Sequence, residues 1–138
     1  MSTRSNIAFD NGGEVYMIYC HFDGYPENVG KILAEHYTDI EKVEELMDLG
    51  DLSILGKEIG EKQDFDNYTN RSWCLAYGRD RGEEGCEART YVNLRAVENA
   101  FQGAGCDYLY VFDGQEWLFK RHNVKQFYSL REWVEENA

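Results

Sequence analysis

The chain has 138 residues, of which 43% are apolar and 14% aromatic, enough to form the core of a folded domain rather than a disordered tail. Its 26 acidic residues against 14 Lys and Arg give a formal net charge of -12, which excludes the basic footprint of proteins that bind nucleic acid or anionic membranes. We therefore expect residues 1–138 to form a single compact domain.

The polar N-terminus predicts neither a signal peptide nor a myristoylation site, and no apolar run reaches the length of a membrane span. We expect a cytoplasmic protein. The cysteines lie far apart and form no CxxC pair, so they are interpreted as reduced, mostly buried thiols. No Cys or His pair has the spacing typical of a zinc site, and we expect neither a metal nor another cofactor.

The first predicted elements are a hairpin and a helix. Residues 6–9 and 14–20 are β-rich runs separated by Asp-Asn-Gly-Gly, which suits a tight turn. Pro26 is placed well for the first turn of a helix, and apolar residues recur at helical spacing as far as Tyr37.

A second helix is predicted to follow almost without a loop. Thr38 and Glu41 match a capping box, and Gly50 stands where a left-handed C-cap glycine belongs. The residues of this helix expected to face the core are Ile40, Val43 and Met47.

The middle of the chain is less regular. Residues 51–70 are polar and poorly periodic, which predicts a short helical turn and then a mobile loop with little core. Residues 72–77 are typical of a strand, and residues 86–92 are its predicted partner.

The last third of the chain carries clearer signals. Asn93 is a predicted N-cap of a helix that ends at one of two nearby glycines. Residues 107–112 and 116–120 flank an Asp-Gly turn and predict a second hairpin, and Ser129 is the predicted cap of a C-terminal helix. Strands joined by such tight turns are antiparallel. The sequence therefore predicts an α+β fold, an antiparallel sheet built from β-hairpins with helices packed on a face.

The negative charge is concentrated in the first half of the chain. Residues 10–66 hold fifteen acids and four bases, net -11, whereas residues 67–138 are net -2. The densest part is the second predicted helix, where carboxylates about 5 to 6 Å apart form one stripe. Its members are Glu41, Glu44, Glu45 and Asp48. The stripe suits either a solvated face or a surface that binds a basic partner.

A loop after the first hairpin holds reactive residue types. Cys20, His21 and Asp23, with Tyr25 close behind, lie between a strand and a helix start, a place where nucleophilic sites can form. However, adjacent strand residues point to opposite faces, so Cys20 and His21 should not share a hydrogen bond. We favour a core cysteine and a loop organised by His21 and Asp23, and assign no catalytic residue.

The second half suggests a different candidate site. Trp73, Arg79 and Arg81 combine an aromatic face with guanidinium groups, which could stack a base and hold phosphates. Other basic residues of the second half that could contribute to a nucleotide pocket are Arg71, Arg89, Arg95, Lys120, Arg121, His122 and Lys125. The alternative is that these arginines pair with the surplus of acids around them.

Several strings resemble a family of small acidic proteins from bacteriophages and prophages. They are STRSNIAF, YCHFDGYPENVGKIL, EKVEELMDLGDLSILG and GRDRGE, and the resemblance is densest in residues 2–57. These strings are not catalytic signatures, so the resemblance transfers no active-site residue. It implies a phage accessory protein that acts in the bacterial cytoplasm.

Three functional hypotheses follow. The leading one is a non-enzymatic phage accessory protein that binds and inhibits a host protein, such as a defence factor, through an acidic surface in residues 10–66. Its partner would have a basic surface, with no direct contact to nucleic acid or membrane. The alternatives are a protein that sequesters a nucleotide signal through its arginine-bearing second half, and a small Cys/His enzyme.

Overall fold

The structure, a computed structural model, describes residues 2–138. The β-strands are β1 (Ser5–Asp10), β2 (Val15–Cys20), β3 (Leu52–Ile54), β4 (Leu75–Ala76), β5 (Arg89–Tyr91), β6 (Tyr108–Phe112), β7 (Trp117–Arg121) and β8 (Tyr128–Ser129). The α-helices are α1 (Lys31–His36), α2 (Ile40–Leu49), α3 (Tyr77–Arg81), α4 (Leu94–Ala104) and α5 (Leu130–Glu136). A π-helical turn, Pro26–Gly30, leads into α1, and Pro26 opens it as predicted.

All these strands belong to one sheet, in the order β4-β3-β2-β1-β6-β7-β8. The strand β5 also pairs with β2, along the first part of β2, while β3 pairs with its end. The two predicted hairpins, β1–β2 and β6–β7, are present and antiparallel. The α+β class is confirmed.

The sheet is mixed, so the prediction of a purely antiparallel sheet is wrong. The β1–β6 and β2–β3 pairs are parallel. A tight turn determines only the pairing inside its own hairpin. The arrangement of one hairpin beside the other depends on contacts between residues about one hundred positions apart, for which the sequence has no local signal.

Helices cover both faces of the sheet, not one face as predicted. On one face α4 packs through Val97 and Phe101 against a cluster that includes Ala8. On the other face the π-helical turn, α1, α2 and α5 pack against a cluster that includes Ile7 and Ile18. The reason is that successive residues of β1 point to opposite faces, and Ile7 and Ala8 are both fully buried.

The middle of the chain departs most from the predictions. Leu52–Ile54 is a strand where a helical turn with little core was predicted, and Leu52 and Leu55 are buried. The strand β4 pairs with β3 rather than with residues 86–92, and β5 pairs with β2. The predicted strands at 72–77 and 86–92 do contain β4 and β5, but which strands pair depends on long-range contacts, for which the sequence has no local signal.

The start of α2 lies one residue away from the predicted cap. Asp39, not Thr38, is the N-cap, and its carboxylate accepts a hydrogen bond from the Glu41 backbone N–H at 3.4 Å. With this start Ile40 is 43% exposed rather than buried, although the other two residues predicted to face inward are buried. Gly50 does end the helix, with φ +83° and an extended ψ of -157° instead of the left-handed conformation.

Other predicted helix boundaries are confirmed. Asn93 caps α4 by accepting a hydrogen bond from Ala96 N–H, and the helix ends at Gly105 in the left-handed conformation. Ser129 caps α5 through Glu132 N–H. Within residues 2–138 no helix is long and apolar enough to cross a membrane.

Candidate functional site

The helix α2 presents the predicted acidic stripe to solvent. Its Val43, Leu46 and Met47 are buried against the sheet. The opposite side carries the four stripe carboxylates, all exposed: Glu41, Glu44, Glu45 and Asp48. The burial of one side of the helix therefore places the acids on the other side.

Two of the stripe residues line a groove of about 450 Å³ beside the β1–β2 hairpin. We call it the acidic groove. Its carboxylates come from Glu44, Asp48 and Glu87, and its floor includes Phe9, Tyr16 and Met47. Phe9 and Met47 are buried and Tyr16 is half-buried, so three carboxylates surround a partly apolar floor. Glu41 and Glu45 lie on the same helix and do not line the groove.

The third carboxylate, Glu87, belongs to the half of the chain that is nearly balanced in charge. The segment before β5 is held against the end of α2, where Asp51 N–H donates to the Cys86 carbonyl at 2.8 Å. The contact at Gly50 is so close that a Cβ there would be 2.3 Å from the same carbonyl oxygen. Sequence reasoning missed Glu87 because this contact spans more than thirty residues; the acidic string around Cys86 was the only available signal.

The negative charge of the groove is not neutralised within the protein. The single lysine of α2, Lys42, donates to the carbonyls of His36 at 2.7 Å and Lys57 at 2.6 Å, and its ammonium lies over the Tyr37 ring. Across residues 2–138, no Lys, Arg or His nitrogen lies within 4.0 Å of the three groove carboxylates. The groove therefore offers carboxylates with no cationic partner.

A smaller cavity of about 290 Å³ extends the acidic groove past Asp48 and Glu87 to Glu83 and Cys86. The Cys86 thiol is half-buried, and its pKa is raised, first by desolvation and then by the carboxylates of Glu83, Asp51 and Glu87. A raised thiol pKa is the expected effect of nearby negative charge. The pKa of Cys86 therefore depends on the negative charge of this surface.

The conformation of the loop after β2 is fixed by hydrogen bonds and by one residue with a positive φ. His21 Nδ1 is hydrogen-bonded with the Tyr19 hydroxyl at 2.6 Å, and its ring stands edge-on to Phe22. Asp23 adopts a positive φ of 54°, and its carbonyl accepts from the Asn28 side chain. The Asp23 carboxylate also raises the pKa of the partly exposed Tyr25 phenol. Each polar group thus helps to shape the loop.

The Cys20 thiol has the opposite properties from an activated nucleophile. Its side chain is fully buried, and desolvation raises its pKa to about 12. The sulfur donates to the Phe22 carbonyl, whereas the His21 ring contacts Tyr19. A nucleophilic cysteine needs a lowered pKa and access to solvent, and Cys20 has neither.

Arg79 and Arg81, two of the three residues of the alternative nucleotide site, are held by other protein groups. Each of the three side-chain nitrogens of Arg79 donates to a protein acceptor: the carbonyls of Ile59 and Cys74 and the buried Asp80 carboxylate. Arg81 pairs with Glu83 and lies over two aromatic rings. These contacts match the alternative in which the arginines pair with nearby acids.

Trp73, the third residue of that set, is half-buried and packs on Gly60, where a Cβ would lie 2.2 Å from the indole Cγ. None of the cavities described here is lined by Trp73 together with the two arginines. In the described chain, residues 2–138, no group of three or more His, Cys, Asp or Glu side chains could hold a metal ion.

The fold and site together describe a mixed-sheet α+β protein with an acidic, partly apolar groove. Comparison with protein-family models, with curated proteins and with solved structures gives no match. The geometry of the groove is therefore the main indication of function.

Proposed function

We propose that this chain is a non-enzymatic binding protein that occupies the basic surface of a partner protein with its acidic groove. The observation that carries the proposal is the set of three carboxylates, Glu44, Asp48 and Glu87, which have no cationic partner and line a groove with a partly apolar floor. Glu41 and Glu45, which are exposed on α2 outside the groove, form the outer part of the proposed binding surface.

The floor of the groove supports a lysine or arginine side chain as the group that binds. Such a side chain is amphipathic, with an aliphatic stem and a charged head. The stem would pack on Tyr16 and Met47 while the head meets Glu44, Asp48 or Glu87. Hydrogen bonds between a guanidinium and a carboxylate are shorter and stronger than neutral ones, and arginine can form two at once.

The surrounding charge favours rapid association with a basic protein. Residues 10–66 are net -11 and include the exposed carboxylates of α2, so the potential around this helix attracts a cationic surface before contact. Electrostatic steering of this kind raises association rates and weakens as salt increases. A partner whose basic surface normally holds an anionic ligand would be inhibited by occupancy of that surface.

The biological setting belongs to the same proposal. The resemblance to phage and prophage proteins supports a partner in the bacterial host, with a defence factor as the kind of target that such a protein would inhibit. The Cys20 thiol is fully buried and burial raises its pKa, which disfavours the nucleophile that a Cys/His enzyme would need.

Affinity capture from bacterial lysate, with quantitative mass spectrometry over a salt series, tests the proposal. The groove variant Glu44→Lys/Asp48→Lys/Glu87→Lys reverses the three groove carboxylates. The control variant Glu35→Lys/Glu61→Lys/Glu116→Lys reverses three exposed carboxylates elsewhere and changes the net charge equally. We expect a protein with a basic surface to be retained by the wild type and the control, released by salt, and lost with the groove variant.

The retained protein, once purified, should bind the wild type and the control variant with similar affinity and the groove variant more weakly. If the groove variant and the control retain the same proteins to the same extent, the acidic groove is not the binding surface. If both variants lose binding, the interaction depends on the net charge of the protein rather than on the groove carboxylates, which would also contradict the proposal.

A further inference from the structure

A second groove, of about 540 Å³, lies between α4 and the chain that follows β7. We call it the basic groove. Its cations are Arg95, Lys120 and Lys125, and its single acid is Glu98. Lys120 belongs to the face of the sheet that α4 covers, because it alternates along β7 with Phe119, which packs on the opposite face. The basic groove and the acidic groove are therefore on opposite sides of the protein.

The balance of charge in the basic groove is the reverse of that in the chain. The chain holds 26 acids and 14 bases, yet here three cations face one carboxylate. Neither Arg95 nor Lys125 has a carboxylate within 4.0 Å in residues 2–138. A concentration of unpaired cations in so acidic a protein is not explained by ion pairing within the chain.

Lys120 is the most deeply placed of the three cations. It is 6% exposed, and its ammonium group donates to Glu98 at 3.2 Å and lies 5.5 Å from the centre of the Phe127 ring. An ammonium group has three donors, and burying one is costly unless its donors are satisfied. An anion in the groove would accept from the donors that Glu98 leaves.

The far wall of the groove is held in place by hydrogen bonds to α4. Gln102 Oε1 accepts from the Asn123 backbone N–H at 3.1 Å, and the two side chains are also hydrogen-bonded. Asn123 has a positive φ of 65°, so it turns the chain sharply at this point. These contacts hold the chain that carries Lys125 against α4, which carries Arg95.

We propose that the basic groove binds the phosphate groups of a small organic phosphate of about the size of a nucleoside diphosphate. Its volume falls in the range of about 300 to 1,000 Å³ that is usual for small-molecule sites. Lysine and arginine are the residues that hold phosphate, and the amides of Asn99 and Asn123 add neutral hydrogen-bonding groups. This site differs from the Trp73, Arg79 and Arg81 set, in which Arg79 is bound to protein acceptors.

Isothermal titration of the full chain with pyrophosphate and with ADP, at low ionic strength and without magnesium, tests this proposal. Saturable binding of both probes is expected. The exposed pair Arg95→Gln/Lys125→Gln should weaken it by at least about tenfold, because two charge-assisted contacts are lost. Glu98→Gln should have the opposite effect and tighten binding by a few fold, since it removes the only competing carboxylate.

The matched control is Lys31→Gln/Arg131→Gln, which removes two exposed cations outside the groove. Its affinity should equal that of the wild type. Absence of saturable binding with both probes, an equal loss in the control, or binding unchanged in Arg95→Gln/Lys125→Gln would each overturn the proposal. So would binding of an Asp/Glu-rich peptide when neither phosphate binds. None of these outcomes depends on the acidic groove, which lies on the other face.

Discussion

Asp51 and Arg89 form an ion pair, 2.7 Å between Oδ1 and Nη1, at the point where β2 changes its neighbour from β5 to β3. The same carboxylate oxygen accepts from the Tyr19 backbone N–H at 2.9 Å. One side chain therefore satisfies a strand N–H that neither neighbouring strand reaches, and it links the chain between α2 and β3 to β2 and β5. The position of Glu87 in the acidic groove depends on this junction.

Asp51→Ala should lower the free energy of unfolding by about 1 to 3 kcal/mol, because it leaves the Tyr19 N–H without its acceptor. Asp51→Asn should cost less, since the amide oxygen can still accept. Arg89→Gln should cost at most about 1 kcal/mol because the arginine side chain is 46% exposed. Urea denaturation of the three variants measures this order, and an equal cost for Arg89→Gln and Asp51→Ala would contradict it.

Asp80 should be the most sensitive charged residue of the protein. Its side chain is fully buried and accepts from Gln63 N–H and Ala76 N–H, both at 2.8 Å, while pairing with Arg79. Asp80→Ala should destabilise the fold by about 3 to 5 kcal/mol, since it leaves a mostly buried guanidinium without its partner. Asp80→Asn, which keeps the acceptor oxygen, should cost clearly less. Thermal or urea unfolding checks both, and a cost below about 1 kcal/mol for the alanine variant would contradict the assignment.

Gly50→Ala should destabilise the junction between α2 and residue 86 by about 1 to 3 kcal/mol. The position has a φ of +83°, and the added Cβ would meet the Cys86 carbonyl oxygen at 2.3 Å. The matched control is Gly103→Ala, an open position inside α4, which should stabilise by about 0.5 to 1 kcal/mol. Urea denaturation separates the two signs, and stabilisation by both substitutions would show that Gly50 is not constrained.

Thiol chemistry should distinguish one cysteine from the other three. Cys20, Cys74 and Cys106 are buried, whereas Cys86 is half-buried, and all four are free. An aromatic disulfide reagent at pH 8 should therefore modify Cys86 first in the native protein, and all four thiols after unfolding. Fast modification of Cys20 at neutral pH would contradict both its burial and its raised pKa.

The rate at Cys86 should also report the charge of the acidic surface. Because its pKa is raised, less thiolate is present at a given pH and the reaction is slower than for an ordinary thiol. Glu87→Gln removes one of the contributing carboxylates, so the pKa should fall and the rate at pH 7.5 should increase roughly twofold. Glu61→Gln, in a loop outside this surface, is the control and should leave the rate unchanged.

The predictable parts of the fold were those with local causes. The Asp-Gly turn between β6 and β7, the Asn93 and Ser129 caps, and the buried Val43 and Met47 all follow from interactions within a few residues. The strand β3 was not predicted, and the predicted strands at 72–77 and 86–92 contain β4 and β5 but pair with other partners. Strands of two or three residues are stabilised by their neighbours in the sheet rather than by their own pattern.

The same distinction applies to the candidate sites. The exposed carboxylates of α2 were predicted because helical periodicity alone separates a polar side from an apolar one. The contribution of Glu87 was not predicted, because α2 meets the chain before β5 only through long-range packing. Arg95, Lys120 and Lys125 were part of a broad set of basic candidates, but their grouping in one groove depends on the long-range contact between α4 and the chain after β7.

By itself the sequence determined the α+β class, both hairpins, most helix ends and the acidic side of α2, because turns, caps and helical periodicity act over short distances. Tertiary structure alone decided the parallel β1–β6 pair, the helices on both faces, and the joining of Glu44 and Asp48 with Glu87. Only in the tertiary structure does Arg79 donate to protein acceptors, and only there do Arg95, Lys120 and Lys125 line one groove. The physical reason is that a charge acquires its role from the groups within a few ångströms of it, and those neighbours are set by burial of the two apolar faces of the sheet.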